Sequence, residues 1–133
     1  MEELSRAERF SIVKRAKSFT YAGRGIWIFL KTTHNAWLHL FILALAVLLG
    51  LYLQITYLDW MLLIFAAGLV LTAEAFNTAI EIDINLTSPE QHPYARDTKD
   101  VAAGAVLIAA TTAALIGIGI FGTYFVELLA RLS

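Results

Sequence analysis

Glu74, Asn77 and Glu81 sit at offsets of 0, 3 and 7 inside one apolar stretch of the chain. That spacing puts two carboxylates and an amide on one face of a helix. Carrying a carboxylate into a bilayer costs about 2.5–3.5 kcal/mol on insertion scales, so Glu74 is either a functional group or a hydrogen-bonded structural one. Glu81 follows by about 10 Å along a helix axis. A deep carboxylate could accept a proton from a lipid headgroup hydroxyl. A shallower one, near water, could hold a hard cation through oxygen.

A second group of ionisable residues closes the connection that follows. Arg96, Asp97, Lys99 and Asp100 stand just before the next apolar run. Lysine neutralises phosphate charge, and aspartate can ligate a cation or accept from a nucleotide. Asp97 and Asp100 could equally cap the helix they precede. Ser88-Pro89-Glu90 predicts a short helical turn that His92-Pro93 ends. Thr32, Thr33, His34 and Asn35 come to the same level from another part of the chain. Polar chemistry therefore converges on one interface, which suits transfer between a water-soluble anion and a membrane lipid. The sequence holds no Walker-type phosphate loop, kinase glycine loop, zinc-site spacing or nucleophile elbow.

These residues have to be held by membrane-spanning elements. Of 133 residues, 59% are hydrophobic and only 16% are charged, at a net charge of −1 with no cysteine. A soluble domain of this length has too little core for so much apolar side chain. A soluble enzyme, a nucleic-acid-binding module and a disulfide scaffold are thereby excluded. Residues 36–55 carry no charge and are interrupted only by His39 and Gln54; residues 60–80 carry Glu74 alone, and residues 101–126 carry none. Each run is long enough to cross a hydrocarbon core of about 30 Å as a helix. The predicted fold is an all-α integral membrane domain over residues 1–133, with residues 1–35 as a cytoplasmic amphipathic segment and three spans.

Seven basic residues precede the first span: Arg6, Arg9, Lys14, Arg15, Lys17, Arg24 and Lys31. Arg96 and Lys99 follow the second span, and only Arg131 lies beyond the third. The positive-inside rule places the N-terminus in the cytoplasm, and no cleavable signal peptide is expected. Ile12, Ala16 and Phe19 share a helical face beside Lys14, Arg15 and Lys17, predicting an amphipathic surface helix with a break or bend at Gly23 and Gly25. Ala105, Ala109, Ala113 and Gly117 form a small-residue stripe that allows close helix packing, within one chain or between chains. A thin three-helix bundle burying carboxylates predicts an oligomer.

At these residues the chain resembles the small prokaryotic diacylglycerol kinase family, particularly its undecaprenol kinase branch, over about residues 19–121. The most specific stretch is Glu74-Ala75-Phe76-Asn77-Thr78-Ala79-Ile80-Glu81, which is similar to the family's E-x-x-N-[ST]-A-I-E signature. Lys99-Asp100-Val101-Ala102-Ala103-Gly104-Ala105-Val106 is a second match. Tyr21-Ala22-Gly23-Arg24-Gly25-Ile26-Trp27 and Pro89-Glu90-Gln91-His92-Pro93 look like the undecaprenol kinase branch. The resemblance implies a homotrimer in the bacterial inner membrane, with active sites between subunits and Mg-ATP-dependent phosphorylation of a lipid hydroxyl. On that pattern Glu74 matches the general base, Asn77 the asparagine beside it and Glu81 a metal-binding glutamate. Tyr21, Glu90, Gln91, His92, Lys99 and Asp100 fall on ATP-contacting positions. Lys14 stands where some members have a nucleotide-contacting arginine, and lysine loses the bidentate geometry there.

One departure is chemical. Family members carry a glutamate in a T-E-[RK]-N stretch before the first span, whereas this chain has Thr32-Thr33-His34-Asn35. Threonine at position 33 removes a charged oxygen ligand and should weaken Mg²⁺ binding unless His34, Asn35 or Asp97 compensates. Two readings follow. The first is a lipid kinase with ATP as co-substrate and undecaprenol or diacylglycerol as acceptor. The second is a catalytically impaired member that serves as a membrane assembly or binding protein. Three spans with polar groups at one interface form no transmembrane pathway, which disfavours a transporter.

Overall fold

The computed structural model describes residues 12–90 and 92–132, and of His34 only the backbone. Arg6, Arg9 and Gln91, which entered the expectations above, lie outside the described residues. Four helices follow one another: α1 (Ile12–Thr32), α2 (His34–Leu53), α3 (Tyr57–Thr87) and α4 (Pro93–Leu132). The described residues contain no strand. Three helices, α2, α3 and α4, are long and apolar enough to cross a membrane.

The expected spans at 60–80 and 101–126 fall within α3 and α4, which outrun them. The first, 36–55, instead overruns α2 by Gln54 and Ile55, because Gln54 turns left-handed as the helix C-cap. With 31 and 40 residues, α3 and α4 are about 46 and 60 Å long at 1.5 Å per residue. The last turns of α3 and the first turns of α4 therefore project past the apolar runs and carry the polar residues of the 81–100 connection. Ser88 does not open a helical turn; it is the C-cap of α3, its N–H donating to the Ile84 carbonyl at 2.9 Å. Pro93 opens α4 instead of closing a turn, because proline has no N–H to lose at a first helical position. His92 caps that start: its Nδ1 accepts from the Tyr94 N–H at 3.3 Å and its carbonyl accepts from Arg96 N at 3.1 Å. Asp97 and Asp100 consequently lie within α4 and do not cap it.

The helix of the N-terminal segment also differs from expectation. α1 runs unbroken through Gly23 and Gly25, since a glycine in a helix costs only about 1 kcal/mol relative to alanine. It ends at Thr32, and Thr33 takes an extended conformation (φ −99°, ψ 108°) as the N-cap of α2. Trp37 Nε1 donates back to the Leu30 carbonyl at 3.0 Å, tying this corner together around buried Phe29 and Ala36.

α3 and α4 form the principal helix pair. Leu63, Ala66, Val70, Glu74 and Thr78 make one buried stripe on α3, and Ala102, Ala109 and Ile120 are buried on α4. Of the predicted small-residue stripe, Ala109 is buried, whereas Ala105 is exposed. At the end remote from the polar connection, Ile55, Leu63 and Ile120 are packed by Trp60, Phe121 and Tyr124. Thr56 and Asp59 form a reciprocal cap on α3, and Tyr124 Oη donates to Asp59 Oδ2 at 2.8 Å while accepting from Thr56 N at 3.0 Å. The α2–α3 turn is close-packed as well. Gln54 takes the left-handed conformation (φ 52°), and a Cβ added to Gly50 would stand 2.9 Å from the Trp60 ring. Gly50→Ala is therefore expected to destabilise the protein by about 1–3 kcal/mol through overpacking. A lowered midpoint of thermal unfolding in detergent would register it.

Candidate functional site

The site is built on one face of α3, continued by residues that recur every three or four positions: Glu74, Asn77, Thr78, Glu81 and Asn85. Together with Thr33 and Asn35 from the α1–α2 corner they line a pocket of about 300 Å³. Glu74 is its buried end, 1% exposed, the largest fully buried side chain among the described residues. Glu81 is exposed at the other end. Glu74 is thus enclosed by the protein and Glu81 is not.

Hydrogen bonds fix this face against α2. Thr78 Oγ1 donates to the Glu74 carbonyl at 2.9 Å. Its single proton is then committed, so the 2.6 Å contact between the Thr33 and Thr78 hydroxyls has Thr33 as donor. Thr33 therefore bonds across to α3 and makes no side-chain cap on α2. Deeper in, His39 Nε2 of α2 lies 2.9 Å from Glu74 Oε1.

Asn77 Nδ2 donates to Glu81 Oε1 at 3.1 Å, while Asn77 Oδ1 is buried without a hydrogen-bond partner. A buried carbonyl oxygen without a donor is costly, and a cation would satisfy it. One carboxylate beside neutral oxygens suits a hard ion that keeps water and phosphate ligands, as Mg²⁺ does. Among the described residues no three His, Cys, Asp or Glu side chains are grouped to hold a metal by themselves. Glu81 and Asn77, which line the pocket together with Thr33, carry the oxygens that would meet such an ion.

A second groove of about 640 Å³ opens between the end of α3, the 88–92 connection and the start of α4, lined by Glu90, His92, Arg96 and Lys99 among others. Asn85 lines both cavities, so they adjoin there. Lys99 Nζ donates to Asn85 Oδ1 at 2.8 Å, which places an ammonium group at the junction. Lys99 and Arg96 give the larger groove two cationic side chains that could meet an anion.

The Prokaryotic diacylglycerol kinase family model matches residues 20–121. The chain belongs to that family. It is 34% identical over 117 residues to the undecaprenol kinase of Bacillus subtilis (strain 168), covering 88% of this chain and 95% of the relative. It is 32% identical over 106 residues to a diacylglycerol kinase of Helicobacter pylori, covering 74% of this chain and 83% of the relative. A diacylglycerol kinase of Synechocystis is 34% identical over 101 residues, 75% of this chain and 58% of its own length.

Within this family member, Glu74, Asn77 and Glu81 share the smaller pocket, and Glu90, His92 and Lys99 share the larger groove. Lys14, Tyr21 and Asp100 line neither. Tyr21 is exposed on α1 and Asp100 on α4. Asp97 faces Arg96 at 3.4 Å on the surface and also lines neither, so within one chain it does not stand in for a carboxylate at position 33. Asn35 does line the smaller pocket. Three participants were not singled out from sequence as site residues: Thr78, Asn85 and His39. The first two continue the 74–81 face at helical spacing and were findable. His39 had one signal, an imidazole inside an otherwise apolar run.

Proposed function

We propose that the protein is an ATP-dependent lipid kinase that transfers the γ-phosphoryl group of Mg-ATP to the hydroxyl of a membrane lipid alcohol, undecaprenol or diacylglycerol. Family membership carries the enzyme class, a phosphotransferase acting on a lipid. The observation that supports the detailed reading is the junction at Asn85, with Lys99 on the groove side and buried Glu74 on the pocket side. The undecaprenol kinase relative, matched over 95% of its length, favours undecaprenol.

In this reading the nucleotide lies along the larger groove beside Glu90 and His92. Lys99 takes the phosphates, where a charge-assisted contact is strongest. Glu74 accepts the hydroxyl proton as the lipid oxygen bonds to the γ-phosphorus, and the bond from that phosphorus to the β–γ bridging oxygen breaks to release ADP. Glu81 and Asn77 would hold Mg²⁺, which when bound neutralises charge on the phosphates. Gln91 and Asp100 are assigned to the nucleotide as well, from the family pattern. Lys14 and Tyr21 lie away from the groove of their own chain. A homotrimer in which one copy's α1 covers its neighbour's groove would bring them to the nucleotide. Exposed Phe19, Trp27, Phe41 and Phe65 offer apolar surface for lipid and for neighbouring copies. The N-terminus and the site face the cytoplasm, where ATP is, and the membrane is the bacterial inner membrane.

Lys99→Ala is expected to raise the apparent KM for ATP about tenfold or more, as loss of a charged hydrogen bond does. Initial rates against ATP concentration in reconstituted vesicles would measure it. A second reading, a member without catalysis, is favoured by the Thr33 hydroxyl, which is engaged with Thr78 where the family pattern has a carboxylate. Vesicles containing diacylglycerol or undecaprenol, given γ-labelled Mg-ATP, decide between the two. Labelled lipid from the wild type supports the kinase and identifies the better acceptor. Labelled lipid only from Thr33→Glu supports the non-catalytic reading.

A further inference from the structure

Glu74 has three side-chain torsions, and nothing in α3 itself holds its carboxylate. Thr78 bonds to its backbone carbonyl, not to its side chain. Among the described residues the one hydrogen bond to the carboxylate comes from His39, at 2.9 Å. The His39 side chain is 20% exposed and that of Glu74 2%. An imidazole inside an apolar span requires a partner, and this one meets the deepest carboxylate of the pocket. His39 stands behind Glu74 on α2, and Glu74 but not His39 lines the cavity.

We infer that His39 is the positioning residue of the base, donating its Nε2–H to Glu74 Oε1 so that Oε2 is the oxygen that receives the lipid hydroxyl proton. The inference rests on the reading of Glu74 as the base of a lipid kinase. An ionised carboxylate offers lone pairs only, so the hydrogen of this bond is on His39 Nε2. Once Oε2 takes the proton, Oε1 remains a carbonyl acceptor. The His39 bond therefore persists through the transfer and spends no energy on rearrangement.

The register of the two helices keeps His39 in place. Thr33 meets Thr78 at 2.6 Å, and six residues further along α2 His39 meets Glu74, four residues back along α3. These are two rungs of an antiparallel helix pair, locked on either side of one turn of α3. Reacting atoms need to approach to about 3–3.5 Å, and a misplacement of about 1 Å can cost 10²-fold in rate. A carboxylate with three free torsions would meet that condition only part of the time.

The test is transfer from Mg-ATP in lipid vesicles by wild type, His39→Leu and His39→Gln, with turnover normalised to bound nucleotide. His39→Leu is expected to lower kcat by about 10²-fold with the KM for ATP within about twofold, since the effect lies in the chemical step. Glutamine carries an N–H at similar reach to Nε2 and is expected to keep kcat within about fivefold of wild type. Should leucine prevent assembly, His39→Asn takes its place, because its amide is one methylene shorter and falls short of Oε1. His39→Leu or His39→Asn matching wild type per bound nucleotide would overturn the inference and leave the kinase standing. So would a His39→Gln enzyme as slow as the leucine variant, because donation to Oε1 would then not be what His39 supplies. A wild type that labels neither lipid overturns the proposed function, and with it the need for a positioned base.

Discussion

Glu74→Gln is expected to cut turnover by about 10²–10⁴-fold, the range that a positioned general base supplies, while nucleotide binding survives. The substitution is close to isosteric. The glutamine carbonyl can still accept from His39 Nε2, and the backbone bond from Thr78 to residue 74 is untouched. What is lost is the oxygen that can hold a proton. Leucine or alanine here would confound the result, since each would leave His39 without a partner inside the bundle. The comparison to make is kcat against nucleotide affinity, with thermal unfolding as a control for folding. Turnover within about threefold of wild type would remove Glu74 from the proton transfer, because no general-base contribution is that small.

Glu81→Gln is expected to affect the metal. Glu81 is the exposed carboxylate of the pocket, joined to Asn77 through a 3.1 Å bond that leaves Asn77 Oδ1 buried and unpartnered. With threonine at position 33, Glu81 supplies the formal negative charge next to that oxygen. Its loss should raise the Mg²⁺ concentration for half-maximal rate by at least about 10–100-fold, the cost of losing even an outer partner of a metal ligand. Thr33→Glu in the wild-type background should move the requirement the other way. A Mg²⁺ titration of transfer rates at saturating ATP measures both. An unchanged Mg²⁺ requirement in Glu81→Gln would place the ion elsewhere.

The parts legible in the sequence were those governed by local spacing and by charge. Three apolar runs, two without a charge and one carrying Glu74 alone, marked the helices able to cross a membrane, because an unpaired charge in hydrocarbon is expensive whatever the fold. Glu74, Asn77 and Glu81 declared a common face through helical periodicity, and the pocket contains all three. Helix limits were less legible. Gly23 and Gly25 suggested a break where α1 continues, since glycine only weakens a helix. His92-Pro93 suggested an end where α4 begins, because proline at a first turn and proline after a last turn look alike in sequence. Least legible were contacts that depend on the register between helices. Nothing in α2 alone says that Thr33 meets Thr78 or that His39 meets Glu74; those pairings follow from how two antiparallel helices slide against each other. Position 33 shows the same division. The missing carboxylate was visible in the sequence, but the hydroxyl bond that its replacement makes to α3 required the structure.

In the proposed function, the buried carboxylate at position 74 serves phosphoryl transfer to a lipid. The most direct measurement is the appearance of labelled phosphate on undecaprenol or diacylglycerol in vesicles containing the wild type or Glu74→Gln, supplied with γ-labelled Mg-ATP. The expected result is labelled lipid with the wild type and at most about one hundredth of that rate with Glu74→Gln. Equal labelling by both proteins, or none from the wild type with either lipid, would contradict it.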